Sequence, residues 1–142
     1  MIGVTPLIGR FDLSDSAAIL TVMKPKNQAA GARLRIVLSP GIAIGPGKAD
    51  LLAAIAETGS ISAAGRRLKM SYRRAWLLVE ELNGSFQKPV VTADKGGAKG
   101  GGARLTDLGT DVLRRFRNME KRTAKAIEAD LAALSALVKA AK

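Results

Sequence analysis

Apolar positions mark out helices along most of this chain. Leu51, Leu52, Ile55 and Ala56 recur at helical spacing within Lys48 to Thr58, with Pro46 and Gly47 turning the chain in and Gly59 available as the C-cap. A shorter helix starts at Ser60 or Ser62, either of which offers a side-chain oxygen to an orphan backbone N–H. Ala63, Ala64 and Leu68 give it an inward face small enough to lie close to a neighbouring helix. After Lys69 and Met70 a third helix begins at Ser71, and its stripe is Ala75, Trp76, Val79 and Leu82. Leu34 to Leu38 reads as a strand and Ile42 to Ile44 as a second, short one. Pro89 to Thr92 and Ala103 to Leu105 are further β-prone runs. From Thr106 a stripe of Val112, Phe116, Met119, Ile127, Leu131, Leu134 and Val138 keeps spacings of mostly three and four, interrupted at Thr123. It predicts a helix that runs to near Lys142, about 55 Å long if unbroken at 1.5 Å per residue.

This order predicts a mainly α fold with a small β wing: a winged helix-turn-helix followed by a long C-terminal helix. The stretch GSISAAGRRLKMSYRRAWLLVEELN holds two short helices joined at a tight corner, and the second carries Arg73 and Arg74 on its first turn. Such a corner delivers a helix N-terminus into the major groove of DNA. A planar guanidinium bridges both guanine acceptors or grips a phosphate bidentately. Candidate DNA contacts on this segment are Ser60, Ser62, Lys69, Ser71, Tyr72, Arg73 and Arg74. An ordinary helix hairpin with a solvated charged face would carry arginines too, but here cap, corner and stripe coincide.

Between the last two β-prone runs lie Gly96, Gly97, Gly100, Gly101 and Gly102, interleaved with Lys95 and Lys99. Glycine lets backbone amides approach a ligand closely and lysine supplies charge, so Lys95, Lys99 and Arg104 suit a basic wing lying along a phosphate backbone. A surface hairpin without function has the same look. A nucleotide-binding loop fails on residues: five positions before Gly47 stands Ile42, and Ala49 follows Lys48, so the leading glycine and the metal-binding hydroxyl are both missing.

SYRRAWLLVEELN followed by KGGAKGGGARLTDLG resembles the N-terminal winged-helix domain of the ModE-type molybdate-responsive regulators. The matching residues are Ser71, Tyr72, Ala75, Trp76, Val79, Glu81 and Asn83, then the wing glycines, Ala103, Leu105, Thr106 and Gly109. The resemblance covers about Ala32 to Arg122. It implies that GSISAAGRRL is the positioning helix, that the strand at Leu34 to Leu38 joins the wing sheet, and that the setting is bacterial, cytoplasmic and related to molybdenum operons. Members that sense molybdate carry a further module of small β-barrels. The alanine-rich segment up to Lys142 lacks the strand and turn signals of one, so molybdate binding is not expected of these residues.

Charge agrees with a nucleic-acid partner. Of the formal net +11, residues 60 to 104 hold nine Lys or Arg against three acids, giving +6, whereas residues 1 to 30 hold three against two. A basic patch there supplies salt-dependent phosphate affinity. No apolar run approaches a bilayer span, and three Phe, one Tyr and one Trp are too few for a single-strand stacking platform. With no cysteine and no histidine the chain lacks disulfides, thiolate metal sites and the commonest general base. Glu80 and Glu81 are adjacent on a helix and face different directions, so no carboxylate pair spans a cleft. No enzyme, cofactor or metal site is expected.

Residues 1 to 31 read as an arm or linker: a disordered segment, an accessory element pairing with a partner subunit, or sequence upstream of the true start. They lack the basic start and apolar core of a secretory signal. The winged helix-turn-helix is expected over 32 to 105 and the long helix over 106 to 142. A stripe so long either folds back over the first helix or meets a second copy of itself, and its length favours the homodimer, with Val112, Phe116, Met119, Ile127, Leu131 and Leu134 at the seam. The reading is a dimeric, sequence-specific regulator that binds double-stranded DNA. The alternative is a protein-interaction module whose long helix docks to another regulator and whose DNA affinity is incidental.

Overall fold

A computed structural model of the chain describes residues 29–94 and 102–140. Residues 1–28 of the arm expected over 1 to 31, and the wing lysines Lys95 and Lys99, lie outside the described residues. The described part falls into two compact units, one of Leu34–Arg117 and one that includes 29–33 and 118–140.

The first unit opens with strands β1 (Ile36–Ser39) and β2 (Ile42–Ile44), paired antiparallel with Ile36 opposite Ile44. Gly41 turns the hairpin at φ 79°, a left-handed geometry suited to glycine. The family resemblance implies that the strand at Leu34 to Leu38 joins the wing sheet. Instead β1 pairs with β2, and the wing strands β3 (Val91–Ala93) and β4 (Ala103–Leu105) form a separate antiparallel pair with Val91 opposite Leu105.

Helix α1 (Pro46–Thr58) begins two residues before the expected start, because Pro46 fits the first helical position, where a missing N–H costs nothing. Gly59 caps its end at φ 73°, donating to the Ile55 carbonyl at 2.8 Å. Leu51, Leu52 and Ile55 are buried as expected; Ala54 rather than Ala56 joins them, and Ala56 is exposed. Helix α2 (Ile61–Arg67) is capped by Ser60, whose hydroxyl accepts from the Ala63 amide at 3.0 Å. Ser62 is therefore not the cap; it lies inside the helix and its hydroxyl takes a hydrogen bond from Arg66. Helix α3 (Tyr72–Ser85) is capped by Ser71, which accepts from the Arg74 amide at 3.1 Å. Where α2 and α3 approach, a Cβ on Gly65 would lie 3.3 Å from that of Ala75, so small residues on both sides set the spacing of the corner.

One buried peptide joins α3, the wing strands and the helix that follows them. Val90 is fully buried. Its N–H donates to Asn83 Oδ1 at 2.8 Å, and the Val91 N–H donates to the same oxygen at 3.1 Å, while Asn83 Nδ2 donates to the Val91 carbonyl at 3.0 Å. The Val90 carbonyl accepts from the Thr106 amide at 3.0 Å. Thr106 Oγ1 donates to the Pro89 carbonyl and accepts from the Gly109 amide, capping helix α4 (Asp107–Ala126). Wing strand β4 is held in turn by the Ala103 amide, which donates to the Gly59 carbonyl at 2.8 Å.

The compact unit reaches past the expected limit of residue 105, because Leu108, Val112 and Leu113 on α4 pack against the core made by α1, α2 and α3. The long C-terminal helix is also divided. Ile127, at φ −97° and ψ 4°, separates α4 from α5 (Glu128–Ala136), although the Ile127 amide still bonds the Thr123 carbonyl and the Leu131 amide that of Ile127.

A Cβ on Gly109 would stand 2.0 Å from the Val90 carbonyl oxygen, so Gly109→Ala is expected to lower stability by about 3 kcal/mol in denaturant unfolding. Gly84 in α3 has nothing within 4 Å of such a Cβ, and Gly84→Ala should instead raise stability by about 0.5 kcal/mol. Equal effects at the two positions would contradict the close approach at Val90.

Candidate nucleic-acid interface

The reading end of α3 is built from its cap outward. Ser71 satisfies an amide of the first turn and leaves Tyr72, Arg73 and Arg74 exposed there. Trp76 packs against the core, and its ring meets that of Tyr72 edge to face with centroids 6.2 Å apart. The aromatic contact restrains Tyr72 although its side chain faces solvent.

Lys69 occupies the corner between α2 and α3 at φ 60°, the described non-glycine residue with positive φ. Its amide bonds the Arg66 carbonyl and the Met70 amide bonds that of Gly65, the double closure of a left-handed helix end. Glycine would meet this geometry without strain; lysine holds an ammonium group at the exposed corner instead.

Ion pairing sorts the cations. Arg67 pairs with Glu57, Lys48 with Glu81 at 3.4 Å, Arg117 with Asp50 at 2.8 Å, and both Arg114 and Arg115 with Asp111. Arg115 Nε donates to the Asp111 carboxylate and, with Arg114 beside it, holds that group below its ordinary pKa. Lys69, Arg73, Arg74, Lys88 and Arg104 form no ion pair among the described residues. Lys88, just before the wing, escaped sequence reasoning because it belongs to no motif.

The structure thus gathers Ser71, Tyr72, Arg73 and Arg74 on one helical turn with Lys69 at the corner before it. Ser60 is half-buried and occupied as a cap, and Ser62 is engaged by Arg66. Arg104 is exposed on β4 opposite Thr92. Among the described residues no three His, Cys, Asp or Glu side chains come together as a metal-holding group, and no helix is long and apolar enough to cross a membrane.

Residues 48–110 match the family described as bacterial regulatory helix-turn-helix protein, lysR family. The chain is 43% identical over 94 residues to the molybdenum-pterin-binding protein MopB of Rhodobacter capsulatus, covering 66% of this chain and 35% of that protein. It is 34% identical over 89 residues to the molybdenum transport protein ModE of Azotobacter vinelandii, covering 63% and 33%. With the transcriptional regulator ModE of Haemophilus influenzae the identity is 33% over 88 residues, covering 62% and 34%. The matched segment is a helix-turn-helix domain similar in sequence to part of each of these proteins. The chain spans about a third of the length of these relatives.

Within this domain the residues that carry the resemblance divide by task. Asn83, Thr106 and Gly109 hold the frame around Val90, whereas Ser71 and Tyr72 shape the exposed turn. Lys69→Gly is expected to raise unfolding stability by about 1 kcal/mol through relief of the left-handed strain. The same change should flatten the salt slope of DNA binding by about one unit, by removing one phosphate contact. Greater stability with an unchanged slope would remove Lys69 from the interface.

Proposed function

We propose that this chain is a sequence-specific, double-stranded-DNA-binding transcriptional regulator of molybdenum-related genes that works in the bacterial cytoplasm as a homodimer, and not as an enzyme. The observation that carries the reading is the serine-capped turn at Arg73 and Arg74, exposed and without carboxylate partners among the described residues, within a ModE-like domain. A helix N-terminus in the major groove places those guanidinium groups at base edges, and each bidentate contact to guanine discriminates by about 1 to 3 kcal/mol. The wing, with Arg104 on its second strand and Lys95 and Lys99 in its glycine-rich tip, supplies phosphate contacts that set affinity rather than sequence. The molybdenum setting is supported by relatives whose names include molybdenum transport protein ModE and transcriptional regulator ModE.

The dimer rests on the C-terminal segment. Val112 packs on the head's own core and Phe116 is 0% exposed within the single chain, so neither offers surface to a second copy. Met119, Ile127 and Leu131 are half-buried, and Leu134, Leu137 and Val138 are exposed. The seam is therefore assigned to the later part of the stripe. Glu128 and Asp130 open α5 and Lys139 follows its end, so antiparallel helices from two copies bring opposite charges together.

Arg73→Ala or Arg74→Ala is expected to weaken binding to a selected duplex by about 1 to 3 kcal/mol and to random DNA far less, as read by competition anisotropy. Equal losses on both would reduce the arginines to phosphate contacts, and no loss would remove α3 from the interface.

Replacing exposed Leu134 and Leu137 together by Lys should convert a sedimenting dimer to monomer by placing unpaired charge at the seam, while the head's melting temperature stays unchanged. A wild-type monomer at micromolar concentration, or a dimer that survives the double substitution, contradicts this seam.

A further inference from the structure

Leu77 lies on the second turn of α3 and is 49% exposed, while its neighbours Trp76 and Leu78 pack against the core. It follows Arg73 by four residues and Arg74 by three, so all three side chains share one helix face. Tyr72 and Leu77 are separated by about 7.5 Å along the axis, and Glu80, the first acid on the helix, by about 12 Å from Tyr72. A recognition helix contacts base edges through its N-terminal residues. The first two turns of α3 hold two arginines, one exposed leucine and no carboxylate, and the acids begin only in the third turn.

A leucine side chain has no donor or acceptor, and it gains in a groove only by covering apolar surface. The apolar group that unmodified base pairs present in the major groove is the thymine 5-methyl. We propose that Leu77 is a specificity-determining residue that contacts a thymine 5-methyl group beside the base pairs addressed by Arg73 and Arg74. This rests on the reading of α3 as the DNA-reading helix. It assigns to the second turn a role different in kind from that of the first: the arginines read acceptors, and Leu77 reads a methyl.

The test starts with duplexes selected by the full wild-type chain from a randomised library, in which each thymine is then replaced singly by uracil. That exchange removes the methyl and leaves base pairing intact. The wild type is expected to lose about three- to five-fold in Kd at one thymine of the selected site, the value of one buried carbon. Leu77→Ala and Leu77→Gln should bind the thymine duplex with a similar loss and show no further loss on the uracil duplex. Both variants should melt with the wild type and bind random DNA equally well. Uracil tolerated at every position by the wild type overturns the proposal while leaving the reading helix in place. Full sensitivity to uracil retained in both variants overturns it in the same way. A loss shared by all sequences, or a change of oligomeric state, would put Leu77 on another kind of surface and also overturn it. Failure of the wild type to select any consensus would bring down both this inference and the reading on which it rests.

Discussion

Everything at the reading end depends on how the backbone of Val90 is satisfied. A buried peptide must find partners for both its polar groups, since an unmade hydrogen bond there costs about 1 to 3 kcal/mol. Asn83 at the end of α3 takes the amide, and Thr106 at the start of α4 supplies the amide that binds the carbonyl. Only glycine at position 109 lets α4 come close enough for that second bond. The result is a single polar junction that fixes α3 against the wing strand and the wing against α4. A shift of any one of these elements would leave a buried group unpaired, so the angle between α3 and the wing is set by chemistry rather than by loop length.

On that frame the charges are sorted by local pairing. Acids on α1 and α4 neutralise Arg67, Arg117, Arg114 and Arg115, and Glu81 reaches back to Lys48. The acids of α3 stand in its third turn, away from Arg73 and Arg74. Basic charge is thus left without acidic partners among the described residues on the corner and first turn. The strain at Lys69 fits the same arrangement, because a glycine there would relieve the backbone and remove the ammonium group.

Features governed by near neighbours were legible in the sequence. Ser60, Ser71 and Gly59 act as caps because capping needs only the local backbone and one suitable side chain. A close approach of α2 to its neighbour was expected from Ala63, Ala64 and Leu68, but Gly65, which meets Ala75, was not among the residues named for it. Pairings between distant segments were not legible. Residues Leu34 to Leu38 carry the alternation of a strand but no label for a partner, and β1 chose β2 over the wing. A helical stripe such as Val112 to Leu134 says that a face is covered without saying by what, and its first part is covered within the chain. Asp50 and Arg117 meet across sixty-seven positions of sequence. Asn83 was visible as part of a motif, yet its task becomes clear only when the wing strand is seen against it.

The central claim is that the N-terminal turns of α3 lie in the major groove of a defined duplex site. The chain contains no cysteine, so Glu80→Cys provides one thiol at the edge of the segment assigned to the groove, available to carry an iron chelate that cleaves DNA nearby. Cleavage of a selected duplex should fall at a few adjacent nucleotides facing the major groove, and it should be lost when Arg73 is also replaced by Ala. Cleavage spread evenly along the duplex, or confined to the minor groove, would contradict the account.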